Sequence, residues 1–223
     1  MSNGSGLFSN QGPKKPHLVT GHGGVPGEVD DLRGDVHRVL APMAALSVDE
    51  YTNPAAGAAG DLEAATATTV APRTVTTFLA GGLAKLAAYP RNLAFTTGGV
   101  TPGNAPDTVT VTGTYRGKPQ TETIALSQAA GQDVGTKPFS TVESVAYGAA
   151  LDVDATVSID IGAGLGTSEI PVSRAGLVAP VREIAIGAAV TTGTLTAEGL
   201  YTPAAAPNGT NDYAIYYEYN PLV

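Results

Sequence analysis

Between residues 90 and 162 the chain runs through segments of strand length in which apolar and polar residues take turns, with turn-forming residues between them. Residues 91–97 (RNLAFTT), 107–115 (DTVTVTGTY), 120–126 (QTETIAL) and 155–161 (ATVSIDI) largely share this period of two. Such a period turns one face of each segment to a core and the other to solvent. Few side chains in the stretch can do chemistry, so it reads as scaffold.

Composition supports the same class. The chain has 28 Gly and 16 Pro in 223 residues and is rich in Thr. Gly and Pro interrupt helical hydrogen bonding and β-branched Thr is stiff at χ1, so long helices are disfavoured. Charged residues make up only 14% and hydrophobic ones 43%, the latter mostly Ala and Val, which predicts a folded protein with a thin core of small side chains. The expected fold is mainly β: an antiparallel sandwich or barrel-like body, an extended N-terminal arm and at most short helices.

The net charge of −8 argues against direct binding of nucleic acid, which needs clustered Lys and Arg to displace counterions from phosphate. Lys14 and Lys15 are the sole adjacent basic pair. Cysteine is absent, which removes disulfides, thiolate zinc sites and cysteine nucleophiles. Residues 1–20 are polar and hold Gly and Pro where an export signal needs an apolar core, so the reading expects use without export. The longest apolar run, residues 78–89, is too short for a bilayer and carries Lys85, so no membrane partner is expected.

Residues 1–65 read as an extended arm and linker. The first 27 are punctuated by Pro and Gly, but Leu7, Phe8, Leu18 and Val19 are apolar anchors that a solvating tail would not need. They suggest an arm that docks on a neighbouring subunit. A short helix is expected at 28–41, where Val29, Leu32, Val36, Val39 and Leu40 recur at spacings of three and four, with acids early and Arg38 late. Residues 66–223 form the β-rich body, as one unit or as sub-domains 66–165 and 166–223. Residues 66–78, broken by Pro72, supply an edge strand or two. Residues 115–120 (YRGKPQ) form a hairpin connection. Residues 129–135 read as a loop, 139–147 as a strand, 151–154 as a turn, 162–166 as a flexible glycine turn, and 182–186, 190–195 and 212–219 as strands.

Residues 90–97 (PRNLAFTT), 107–114 (DTVTVTGT), 120–124 (QTETI) and 139–145 (FSTVESV) resemble a β module of tailed-bacteriophage structural proteins. The closing stretches 199–203 (GLYTP), 206–209 (APNG) and 213–218 (YAIYYE) are similar to the endings of phage head decoration, or cement, proteins. Residues 1–89 carry no part of this resemblance. It implies a structural virion protein on the capsid surface, assembled in the bacterial host cytoplasm, with the major capsid protein and its own copies as partners in a homo-oligomer, a trimer by preference. A tail, neck or fibre component and a receptor- or carbohydrate-binding protein remain open as alternatives. Tyr213, Tyr216, Tyr217 and Tyr219 hold most of the large apolar surface near the C-terminus, and Tyr suits interfaces because it joins a wide ring to a polar tip. Interface anchors and core tyrosines are both open readings.

No chemical site is legible, and no cofactor is expected. His17, His22 and His37 with Glu28, Asp30, Asp31 and Asp35 match no metal-ligand spacing, and Asp152, Asp154 and Asp160 lack the further ligands of a calcium loop and read as turn acids. No Ser lies in a nucleophile-elbow sequence, and no carboxylate pair has a visible apolar pocket to split its acidities. The expectation is a protein that is not an enzyme.

Overall fold

The computed structural model describes residues 45–174, 177–178, 182–185 and 193–219. The expected arm with Leu7, Phe8, Leu18 and Val19, and the expected helix at 28–41, lie outside the described residues. Leu46–Tyr219 forms one contact unit.

The strands in chain order are β1 (Ala45–Tyr51), β2 (Glu63–Ala67), β3 (Arg73–Val75), β4 (Arg91–Gly99), β5 (Thr108–Tyr115), β6 (Lys118–Ala125), β7 (Gly131–Val134), β8 (Thr141–Tyr147) and β9 (Ala155–Gly166). They continue with β10 (Ser173–Arg174), β11 (Leu177–Val178), β12 (Arg182–Ala185), β13 (Thr194–Leu195), β14 (Leu200–Thr202) and β15 (Tyr213–Tyr219). One helix, α1 (Ala80–Ala88), accompanies them among the described residues. The fold is mainly β, as the alternation predicts. One sheet has the order β13-β14-β9-β4-β7, with β2 also paired to β9; a second has the order β3-β8-β5-β6; a third has the order β1-β15-β12. The pairings within the first two sheets, and those of β12 with β15 and β10 with β11, are antiparallel.

The β5–β6 hairpin pairs Thr108 with Ala125 through Tyr115 with Lys118. Its two-residue turn puts Arg116 at φ 55° and Gly117 at φ 71°, the paired left-handed geometry whose twist matches the strands it joins. Every second residue of β5 is buried. Val109 and Val111 therefore meet Leu93 and Phe95 of β4 and Val157, Ile159 and Ile161 of β9 in the main core, with Phe139, Val145 and Tyr147. A second apolar cluster joins Tyr51, Leu165, Leu195, Tyr201, Tyr213, Ile215 and Tyr217. Strand β9 contributes to both clusters, Ile161 to the first and Leu165 to the second.

Strand β9 is buried on both faces. Its second face holds Ser158, Asp160, Gly162 and Gly164, and the preceding loop covers it: Gly60 N donates to Asp160 Oδ1 at 2.6 Å, and a Cβ on Gly57 would strike the Ile161 carbonyl. The expectation of a flexible turn at 162–166 is corrected here. Arg91 pairs with Leu165 and Leu93 with Ile161, so residues 162–164 form a bulge inside β9. Glycine is required there for closeness, because a Cβ at Gly162 would lie 2.7 Å from Asn92 Cγ and 2.8 Å from Asn92 Nδ2.

Three further expectations change. Residues 131–134 are a strand, β7, whose Asp133 and Gln132 pair with Phe95 and Thr96 of β4. Asp160 is a buried strand residue bonded to Ser158 Oγ, Thr96 Oγ1 and Gln132 Nε2. The arm-to-body boundary expected at residue 66 falls within β2, and β1 and β2 both begin ahead of it. Helix α1 arises where the sequence showed an apolar run: Leu86 and Gly82 are its buried residues, Lys85 Nζ bonds Asp61 and the Ala56 carbonyl, and Tyr89-Pro90 ends it. Among the described residues no helix is long and apolar enough to cross a membrane.

Candidate interaction surface

Strand parity puts Tyr213 and Tyr217 on one face of β15 and Tyr216 on the other. The first pair is buried in the second cluster, Tyr216 and Tyr219 are half-buried, and Tyr219 packs against that cluster. Tyr213 donates to the Ala205 carbonyl at 2.8 Å. Tyr217 Oη donates to Asp49 Oδ2 at 2.8 Å and accepts from Glu169 N at 2.9 Å. Tyr213 and Tyr217 are thus core tyrosines with satisfied tips, and of the four expected anchors only Tyr216 lies on the face opposite the cluster.

Beside Tyr217 lies an open depression of about 270 Å³ lined by Asp49, Glu50, Tyr51, Tyr115, Arg116 and Ser168 among others. Several of its polar groups are bonded within the body. Ser168 donates to Asp49 through Oγ at 2.5 Å and through its backbone N at 2.8 Å. Tyr51 Oη donates to the Gly166 carbonyl at 2.9 Å and Tyr115 Oη to the Thr167 carbonyl. Burial pushes the Tyr51, Tyr115 and Tyr217 hydroxyls above their ordinary range, so they stay protonated at neutral pH. Arg116 sits over the Tyr115 ring at 5.3 Å and 3.6 Å from Glu169 Oε2. The Ser168 hydroxyl meets a carboxylate without an intervening imidazole, and the three histidines fall outside the described residues. These bonds fasten β1 and β15 to the 166–169 segment.

The buried Arg91 guanidinium is likewise structural. It donates to the Gly162 carbonyl through Nε at 3.1 Å and to the Ala55 carbonyl through Nη1 at 3.0 Å. Burial, partly offset by Asp61, lowers its pKa to about 10. Among the described residues no group of three or more His, Cys, Asp or Glu could hold a metal ion.

The most distinctive exposed feature stands at the Ala155 end of β9. Three turns are stitched together there: Ala150 N bonds the Thr69 carbonyl at 3.1 Å, Thr68 Oγ1 the Asp152 carbonyl at 2.8 Å, Leu151 N the Asn104 carbonyl at 2.9 Å and Val100 N the Asp154 carbonyl at 2.9 Å. These turns carry Val70, Val100, Leu151 and Val153, which are 58%, 88%, 73% and 56% exposed. Aliphatic side chains gathered on rigid turns are a contact surface in search of a partner. Asp107 and Asp152 are exposed beside them. Asp154 accepts from Asn104 Nδ2 at 2.9 Å, and hydrogen bonds from Thr101 and Asn104 hold its carboxyl below the usual range. Arg73, which begins β3 after the Val70 turn, is bonded to both Glu63 oxygens at 2.8 and 3.0 Å. The result is an apolar crown with an acidic rim. Sequence reasoning missed it, although its signal was present: each of the four aliphatic residues interrupts a stretch of turn formers, as in TVAP, GVTPG and LDVD.

No protein-family profile, curated protein or solved structure matches this chain.

Proposed function

We propose that this protein is a structural component of a tailed-phage virion, seated on the outside of the head as a homo-oligomer, a trimer by preference, where it stabilises the shell through contacts with the major capsid protein and with its own copies. Assembly takes place in the host cytoplasm. The observation that carries the reading is the apolar crown: the tyrosine hydroxyls and Asp49 at the depression beside Tyr217 are bonded within the body, while four aliphatic side chains stand out on turns bonded to one another. The sequence resemblance to phage structural and cement proteins supports the same assignment, and the net charge of −8 suits a protein that covers a capsid without competing for its DNA.

The test is to add purified, gold-labelled protein to expanded, tail-less heads and image them. Decoration spread over the head surface is the expected result. A label confined to a ring at the portal vertex would assign the protein to the neck or tail instead, and no label on heads or complete virions would overturn the virion reading altogether.

A further inference from the structure

The crown and the start of the body lie at opposite ends of β9. Val100 and the 151–154 turn sit where Ala155 begins the strand, whereas β1 is fastened beyond its other end, with Tyr51 bonded to Gly166 and Asp49 to Ser168. Strand β4 spans the same distance, from Gly99 opposite Ala155 to Arg91 opposite Leu165, so at about 3.3 Å per residue these ends stand roughly 27 Å apart. The polypeptide ahead of β1 therefore enters the body far from the crown. From Leu46 back to Val19 are 27 residues, which extended could reach about 90 Å.

That preceding segment has the complementary chemistry. Leu7, Phe8, Leu18 and Val19 supply apolar side chains of the size the crown exposes, and Lys14 and Lys15 stand between the two pairs. The crown offers aliphatic side chains beside Asp107, Asp152 and Asp154, and Arg73, which begins β3, is already paired. We propose that residues 7–19 of one copy dock on the crown of a second copy, their apolar side chains on Val70, Val100, Leu151 and Val153 and their two lysines against the acidic rim. A contact between one end of a subunit and the opposite end of the next is heterologous and closes into a ring when the rotation between subunits allows it. The inference requires only a second copy of the chain and stands whether or not the protein belongs to a virion.

The test uses three full-length variants: Lys14→Glu with Lys15→Glu, Asp152→Lys with Asp154→Lys, and Val100→Asp. Sedimentation velocity measures assembly, native mass spectrometry measures subunit composition, and thermal unfolding checks the body. Wild type forms a closed oligomer. Each charge-reversed protein assembles at least tenfold more weakly alone, and an equimolar mixture of the two recovers contacts between unlike chains, seen as mixed assemblies; an even-numbered ring closes fully, whereas a three-membered ring keeps one mismatched contact. Val100→Asp, at a solvent-facing position, weakens assembly by a similar factor with unchanged unfolding. A monomeric wild type, an oligomer indifferent to Val100→Asp, or a mixture that fails to recover overturns the proposal. The mixture matters because docking within one chain cannot be rescued by a second.

Discussion

Replacing Gly162 with Ala should be severely destabilising in the natural sequence and harmless once Asn92 is also replaced by Ala. Asn92 is buried; its Nδ2 donates to the Gly135 carbonyl at 2.8 Å and its Oδ1 accepts from Gly164 N at 2.8 Å. A Cβ on Gly162 would fall among the amide atoms of this side chain, 2.7 Å from Cγ, so Asn92 must leave and both bonds break. A buried polar group left without its partner costs about 1–3 kcal/mol, and two such bonds put Gly162→Ala at about 3–5 kcal/mol. Asn92→Ala removes the same bonds and should cost about 2–5 kcal/mol. In the double variant the space is vacated, and Gly162 has no left-handed φ to forbid Ala. The second change then adds nothing or stabilises by about 0.5–1 kcal/mol through reduced freedom of the unfolded chain. The two effects should therefore fail to add by about 3 kcal/mol or more, far outside the few tenths expected of independent sites. Urea unfolding followed by circular dichroism supplies all four corners of the cycle. Additive costs, or a Gly162→Ala protein as stable as wild type, would refute the claim that the glycine is present to admit Asn92.

Alkaline unfolding tests the buried hydroxyls. Tyr51, Tyr115, Tyr147 and Tyr217 all have pKa values raised by burial, so the stability they lend is whole below about pH 10 and declines as pH rises beyond it. Arg91, lowered to about 10, acts in the opposite sense between about pH 10 and 12.5. At about 1.4 kcal/mol per group and pH unit, the losses from Tyr51 and Tyr147 outweigh the one gain from Arg91, and Tyr115 and Tyr217 add to the loss, so stability should fall by more than about 1 kcal/mol by about pH 11. Tyrosinate absorbance, read without interference because the chain has no Trp, should show a cooperative rise that coincides with unfolding; one smooth reversible transition of all nine that precedes unfolding counts against buried hydroxyls. Gly117→Ala should cost about 1–2 kcal/mol in thermal unfolding, because nothing lies within 4 Å of the added Cβ and φ 71° alone opposes it. Tyr217→Phe deletes bonds to Asp49 and Glu169 and should cost about 1–3 kcal/mol, whereas Tyr216→Phe should stay within about 0.5 kcal/mol; equal effects would show that the parity of β15 has been misjudged.

The strands legible in the sequence are those with one wet face. Residues 107–115 alternate because β5 has a core on one side only, residues 120–126 largely do so although the inward Glu122 is polar, and Arg116-Gly117 between them is a sufficient hairpin signal. β7 was missed because GQDV offers no apolar alternation; its pairing with β4, and Asp133 reaching Ser127 N at 2.8 Å, make it a strand. The β9 glycines misled for a different reason. Glycine serves both a turn and a close approach, and the choice here depends on Asn92, seventy residues earlier in the chain. Helix α1 could not be read from propensity either, since Gly81 and Gly82 weaken it; Gly82 is nevertheless fitting, because α1 packs so near residue 61 that a Cβ would strike the Asp61 carbonyl.

The tyrosines and the crown expose a common limit of reading surfaces from sequence. The period of β15 fixes which tyrosines share a face, but not whether that face looks to solvent. That depends on β1, which precedes it by 168 residues at the Asp49–Tyr217 contact and whose arrival converts Tyr213 and Tyr217 into core. The same closure withdraws the aromatic surface that made an interface plausible at the C-terminus. Of the large apolar side chains left exposed, Leu46, Val48 and Val134 lie on strands, whereas Val70, Val100, Leu151 and Val153 sit on turns, where strand periodicity says nothing and burial would require a neighbouring element. At the crown the described turns are already joined to one another by backbone bonds, so no further rearrangement within them can cover Val100 or Leu151. Among the described residues, the apolar surface of these turns is therefore left for contact between molecules, at the Ala155 end of β9 and away from where β1 begins.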